Sequence, residues 1–179
     1  MRTSLKLRAL RLDDAEVTWA WRNQDDIRDQ YSGHPFPVNL EMERSWLEKT
    51  AGSNIPTTVF GIELVASNKL IGMTVLRNIN FINREAELAI LIGDEEERGK
   101  GYATDALRLT LDFAFRKLGL NRIFLKVNVD NAPALQLYEK CGFQKEGRLR
   151  ESVFKNGLFK DQLVMSVLSR EFGRDKDDE

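Results

Sequence analysis

The sequence predicts one α/β domain on a single mixed sheet, with elements in the order β-α-α-β-β-β-α-β-α-β-β. Three observations carry this expectation. Three runs rich in β-branched, aromatic and aliphatic residues lie close together between residues 57 and 92. A strongly amphipathic helical pattern follows the last of them, and an Asn156-Gly157 pair joins two further strand-like runs near the C-terminus. Closely spaced middle strands pair antiparallel, whereas a strand, a helix and a second strand in succession make a parallel crossover. At 179 residues and 42% hydrophobic content the chain can bury one real core. No repeat or Pro/Gly-rich linker divides residues 1–172, which are read as one domain, and residues 173–179 as a charged tail.

Each element has its own signal. Leu5, Leu7 and Ala9 alternate with Lys6 and Arg8, as in a strand. Asp13 and Asp14 offer an N-cap to a helix through Ala15, Val17, Trp19 and Trp21, and Gly33, Pro35 and Pro37 break it. A second helix is expected over residues 40–49, with Trp46 and Leu47 on its apolar face. Strands are expected over 57–65, 70–79 and 86–92, with Ser67-Asn68-Lys69 as the first turn. The third is nearly all apolar after Glu87, as suits a central strand. Ala103, Ala106, Leu107, Thr110, Leu111, Ala114 and Leu118 recur at helical spacing up to the stop at Gly119. A strand at 123–129, a helix at 132–140 ending at Gly142, and strands at 148–154 and 159–168 complete the chain.

The bulk properties narrow the function. A net charge of −1 supplies no global field for nucleic acid or anionic lipid, so neither a nucleic-acid nor a membrane partner is expected. Cys141 is the only cysteine, which leaves no internal disulfide and no cysteine-built metal site, and no metal is expected. The first twelve residues alternate charge and leucine without a signal-peptide core, and no apolar run nears the ~18 residues of a membrane span; a cytoplasmic address is expected.

Two segments carry chemistry. The first is Arg98-Gly99-Lys100-Gly101-Tyr102-Ala103-Thr104, between a buried strand and an amphipathic helix. Two glycines let a backbone approach closely, a helix start offers unpaired N–H groups, and Arg98 and Lys100 add charge, all of which suit a pyrophosphate. A tight turn carrying two surface cations is the alternative. The segment lacks the leading glycine and the Ser or Thr of a P-loop, and Thr104 stands where a dinucleotide fingerprint needs glycine. The second runs from Asn131 to Phe143. Asn131 is an N-cap, Pro133 fits the first turn, Gly142 is a left-handed stop, and Tyr138 lies two turns along from Asn131.

Taken together, Arg98-x-x-Gly101-x-Ala103 and Asn131-x-x-Ala134-x-x-Leu137-Tyr138-x-x-x-Gly142-Phe143 resemble the two signature motifs of the GNAT superfamily of N-acetyltransferases, in the branch of ribosomal-protein N-terminal acetylases and spermidine acetyltransferases. The resemblance implies an acyl-CoA N-acyltransferase fold whose central strands splay to admit coenzyme A. It implies acetyl-CoA as co-substrate, its pyrophosphate held by backbone N–H groups from Arg98 to Thr104. The edge at Ile90, Leu91 and Ile92 would pair with pantetheine, and Asn131 would bind the same arm. Tyr138 would stand at the thioester sulfur and protonate the leaving thiolate, while a backbone N–H near Leu91 and Ile92 meets the oxyanion. Transfer would proceed by direct attack in a ternary complex, with Cys141 a buried structural thiol.

The base is more open. Glu87, opening the buried strand, is the first candidate; Glu85 shares its face, His34 lies in a Gly/Pro loop, and a water chain can serve. Trp19, Trp21 and Trp46 suit a helix core, although Trp21 and Arg22 are also candidates for the acceptor wall, as is Glu151. The expected acceptor is a protein or peptide N-terminus or a small amine. The alternatives are a polyamine, for which Glu41, Glu43, Glu85, Glu87 and Glu151 would supply carboxylates, an amino sugar, suggested by Trp21-Arg22-Asn23, or a CoA-binding sensor without turnover. A homodimer is allowed.

Overall fold

The computed structural model describes residues 4–30, 36–50 and 56–173. Its elements are β1 (Leu5–Arg8), α1 (Ala15–Arg22), α2 (Asp25–Gln30), α3 (Leu40–Thr50), β2 (Thr58–Leu64), β3 (Leu70–Asn80), β4 (Glu85–Ile92), α4 (Tyr102–Asp112), β5 (Arg122–Asn128), α5 (Ala132–Lys140), β6 (Gln144–Lys155) and β7 (Leu158–Leu168). The seven strands form one sheet in the order β1-β2-β3-β4-β5-β7-β6. Every neighbouring pair is antiparallel except β4 with β5. The mixed sheet and its single parallel crossover are those the sequence predicts.

Strand alternation sorts the side chains between two helical layers. On β5, Ile123, Leu125 and Val127 turn toward α4 and α5, where they meet Leu107, Leu111 and Tyr138. On β4, Ala86 and Leu88 share that face, whereas Leu91 packs on the other, with Trp21, Leu47, Val59 and Met73 beneath α1 and α3. A polar contact crosses the first layer without cost: the buried Thr110 hydroxyl lies 3.0 Å from that of Thr74 and donates to the Ala106 carbonyl.

The early helices depart from expectation for reasons of long-range pairing. Asp14 does not cap α1. Its carboxylate turns back to accept from Arg8 Nη1 at 2.7 Å, Arg8 Nη2 at 2.8 Å and the Arg11 N–H at 2.6 Å. The same Arg8 pairs with the fully buried Glu63 of β2, which also meets Lys6 at 2.7 Å. The helix also stops earlier than predicted. Asn23 ends it by donating to the carbonyls of Trp19 and Val38 and accepting from the Val38 N–H, so α2 begins as a separate helix. Elsewhere the local signals hold: Asn156 and Gly157 both have positive φ, as a primed hairpin turn requires. Gly142 is left-handed, and the Phe143 N–H reaches back to Tyr138 O to close α5. Beyond Asp112, α4 widens into a π turn (Phe113–Lys117) before Gly119. β6 starts earlier than expected and is bulged on either side of Gly147–Leu149.

The feature that positions the site is the brevity of the β4–β5 contact. It comprises three registered pairs, Glu85 with Arg122, Ala86 with Ile123 and Glu87 with Phe124. Past them β4 follows β3 as far as Ile92 opposite Gly72, and β5 follows β7 as far as Asn128 opposite Gln162. The two halves of the sheet therefore diverge and leave a slot.

The Arg8 network gives a testable stability term. Lys6 and then Arg8 hold the Glu63 carboxyl below the usual range against the opposing effect of burial; for Asp14, burial likewise raises it but Arg8 and the Arg11 N–H outweigh this. A depressed carboxyl stabilises fully above its unfolded pKa, near ~4, and that contribution is lost as pH falls through the folded pKa. Replacing Arg8 by Met should cost about 3 kcal/mol in urea unfolding at pH 7, because two buried carboxylates lose a partner. The deficit should narrow below about pH 4 as they protonate; a deficit constant from pH 7 to 3 would mean that packing, not charge, is the cause.

Candidate functional site

The slot between β4 and β5 is a cleft of about 480 Å³, walled by the end of β4, the turn before α4, the end of β5 and one side of α5. Backbone chemistry along its β4 wall follows from register. The Gly93 N–H donates to Ile71 O on β3, so alternation turns Leu91 toward β3 as well and directs the polar groups of Ile90 and Ile92 toward the slot. Of the three residues expected to form this edge, all line the cleft, but Leu91 spends its backbone on β3.

At one end lies the glycine turn. Gly99 has φ 75° and Gly101 φ 86°, left-handed values that favour glycine, and nothing lies within 4 Å of where a Cβ would project. The predicted donor set of residues 98–104 narrows at both ends. The Arg98 N–H donates to Glu95 O and the Thr104 N–H to Gly101 O, leaving the N–H groups of Gly99, Lys100, Gly101, Tyr102 and Ala103 without a backbone acceptor among the described residues. They cluster at the positive end of the eleven-residue α4.

The two cations of the turn do something other than expected. Arg98 is a clamp: Nε donates to Ile92 O at 3.0 Å and Nη2 to Gly93 O at 3.3 Å, while Nη1 binds Asp26 at 2.7 Å and Nη2 binds Gln24 at 3.2 Å. It ties the end of β4 to α2. Lys100 pairs with Glu97 at 2.8 Å, and this pairing holds the Glu97 carboxyl below its usual range. The anion character of the turn thus rests on backbone N–H groups.

On the opposite wall Asn131 caps α5, its Oδ1 accepting from the Ala134 N–H at 3.2 Å. Tyr138 is buried at the cleft, its ring 5.6 Å from that of Phe143. Cys141 lies at the helix end outside the cleft lining, and burial pushes its thiol up, which opposes thiolate chemistry.

The other candidates are scattered. Glu87 is buried and bound by Arg77 Nη2 at 2.8 Å and Asn78 Nδ2 at 3.2 Å. Asn78 reaches it from a bulge, with φ 55°. Glu85 pairs with Arg122 at 2.8 Å, and Arg122 also holds Glu146. Trp21 is core, pressed so closely on Gly93 that a Cβ there would meet its ring at 2.0 Å. Arg22 binds the fully buried Glu43 at 2.8 Å and lies 5.1 Å over the ring of Trp46. Glu151 sits in the β6 bulge, its N–H bound to Asp161. None of Glu85, Glu87, Trp21, Arg22 or Glu151 lines the cleft, and His34 lies outside the described residues.

Sequence reasoning missed Arg77, Lys126, Asn128 and Gln162, which do line it. Gln162 is buried and donates to Asn128 Oδ1 at 3.1 Å, while the Ser152 hydroxyl bonds its Oε1. The available signal was alternation: Lys126 and Asn128 are the polar positions of a strand whose other face is wholly apolar.

Comparison with known proteins places this geometry. Residues 4–144 match the family model of the acetyltransferase (GNAT) domain. The chain is 36% identical over 172 residues to the spermidine N(1)-acetyltransferase of Vibrio cholerae, covering 96% of this chain and 97% of that one. It is 28% identical over 169 residues to the corresponding Escherichia coli K12 enzyme, covering 94% and 88%. The crystal structure of the Vibrio cholerae spermidine N-acetyltransferase in complex with CoA and spermine superimposes with a TM-score of 0.87 at 34% identity, over 94% and 97% of the two chains. The chain belongs to the GNAT acetyltransferase family and is an acetyl-CoA-dependent N-acetyltransferase.

The Arg98 clamp is separable from the anion turn it supports. Arg98→Lys leaves one ammonium to serve acceptors on two elements and should lower unfolding free energy by about 1–2 kcal/mol. Hydrogen exchange should quicken in α2 and the turn while the β5–β7 amides stay protected; exchange unchanged in α2 would remove the clamp from the account.

Proposed function

We propose that this chain acetylates a primary amine of spermidine or spermine, using acetyl-CoA in a ternary complex. The observation that carries the proposal is its end-to-end similarity to the Vibrio cholerae spermidine acetyltransferase, whose complex with CoA and spermine superimposes over 94% of this chain. A protein or peptide N-terminus, expected first from the sequence, gives way to the polyamine, because the near-full-length relatives whose names specify an acceptor are spermidine N(1)-acetyltransferases.

Each wall of the slot has a task in this reading. The N–H groups of residues 99–103 would hold the pyrophosphate, and the slot-facing groups of Ile90 and Ile92 the amides of the pantetheine arm. Because Arg98 already occupies Ile92 O, Ile92 has its N–H left to offer, either to the arm or to the thioester oxygen as that oxygen gains charge. Asn131, at the start of α5, would steady the arm from the other side. Tyr138 would donate its phenolic proton to the departing sulfur, a phenol being protonated at neutral pH. Glu87, steadied by Arg77 and Asn78 on the sheet face opposite α4 and α5 and outside the cleft lining, would receive the amine's proton through water.

Thiol release from acetyl-CoA should be fastest with spermidine or spermine among polyamines, amino sugars and short peptides. Release with a peptide N-terminus or an amino sugar but none with polyamines would overturn the acceptor. Tyr138→Phe should lower kcat by about 100-fold, as loss of a general acid does. Its affinity for acetyl-CoA, read by calorimetry, should stay within about twofold; an unchanged kcat would remove Tyr138 from the chemistry.

A further inference from the structure

One arrangement beside the slot runs against simple binding logic. On the sheet face away from α4 and α5, β3 presents Arg77 and β5 presents Lys126, and both line the cleft. Arg77 shares one nitrogen with Glu87, but its Nε is buried without a partner. Lys126 is exposed and joins no ion pair among the described residues. It lies two residues beyond Phe124, the last residue of β5 paired with β4, and so at the point where the sheet opens. With Arg77 neutralised by Glu87, Lys126 is the uncompensated charge there, and it disfavours a cationic acceptor. The other charged groups around the cleft are already matched or belong to its far end: Glu87 with Arg77, Asp26 with Arg98, Glu97 with Lys100. Tyr138 on α5 is uncharged, and β7 contributes the neutral Gln162.

We propose that Lys126, standing unpaired beside the Arg77–Glu87 pair, drives the proton off the bound acceptor, so that the amine is presented to the thioester as a free nucleophile. The proposal rests on the acetyl-transfer reading of this cleft and holds for any primary amine. An alkylammonium is protonated at neutral pH and has no lone pair to offer. A like charge a few ångströms away disfavours the protonated form, and strongly so where water is partly excluded. The ammonium gives its proton to Glu87 or to water. The freed lone pair forms the N–C bond at the thioester carbonyl carbon, the C–S bond breaks, and the sulfur leaves with that electron pair and takes the proton of Tyr138, while the second proton shed by the nitrogen as the amide forms returns through water to the Tyr138 phenolate. Lys126 thus exchanges acceptor affinity for acceptor reactivity, and Glu87, already bound by Arg77 and Asn78, need not act as a strong base.

The test is the pH dependence of kcat at saturating substrates, read by thiol release, in wild type, Lys126→Met and Lys126→Arg. Spermidine is the acceptor, or, if wild type does not turn it over, whichever amine releases thiol; inert spermidine thus refutes the polyamine assignment alone. In Lys126→Met the acidic limb should move up by on the order of half a pH unit or more, roughly a threefold loss near neutrality that vanishes at high pH. KM for a cationic acceptor should fall. Lys126→Arg should track wild type. Across alkylamines of decreasing basicity the limb should follow the amine. A loss equal at every pH, weaker acetyl-CoA binding in Lys126→Met, or a limb indifferent to amine basicity would each overturn the proposal, the last by assigning the titration to Glu87.

Discussion

Everything functional in this molecule depends on how little β4 and β5 touch. Parallel strands buried in a sheet usually pair along their length, since each unpaired buried N–H or C=O is costly. Here pairing ends after Glu87 and Phe124, and each strand then follows its antiparallel partner on the other side. The unpaired edge lines the cleft, where Ile90 and Ile92 turn their backbone polar groups toward the slot. The same divergence brings α5 across the gap and sets Tyr138 against it.

Charge is used sparingly around that gap. The turn before α4 has two basic side chains, yet one is a structural clamp and the other is matched by Glu97. What the turn leaves open is a run of backbone N–H groups, held by two left-handed glycines at the start of α4. Carboxylates are likewise committed: Glu43, Glu63, Glu85 and Glu87 each meet an arginine. The cleft lining follows the same rule: its carboxylates, Asp26 and Glu97, are matched by Arg98 and Lys100, and Lys126 alone among its charged side chains has no ion-pair partner among the described residues.

Local chemistry was legible in the sequence; distant pairing was not. The helix after Gly101, the capped helix from Asn131 to Gly142 and the Asn156-Gly157 turn each follow from residues within a few positions of one another. Asp14 looked like a cap because its partner Arg8 is shared with Glu63, dozens of residues away. The early helix looked continuous because the residue that ends it, Asn23, does so by binding Val38. On the site, the glycine turn and Tyr138 were readable from motif and spacing, whereas the neutralising partner of Glu87 emerges only from the antiparallel register that sets Arg77 opposite it. Lys126 and Asn128 were within reach of period-two alternation alone.

The short parallel contact also bears on how the chain finds its fold. β2, β3 and β4 are joined by tight hairpins, as are β6 and β7, so much of each half-sheet can form from near neighbours in sequence. Joining the halves requires closing the whole segment from Leu88 to Asn121, α4 included, around three residue pairs. That closure has a large entropic cost and few backbone bonds to repay it, and it must draw on the apolar layer of Leu107, Leu111, Ile123 and Leu125. The slot is therefore held open and bounded by side-chain packing beneath it more than by the strands that border it.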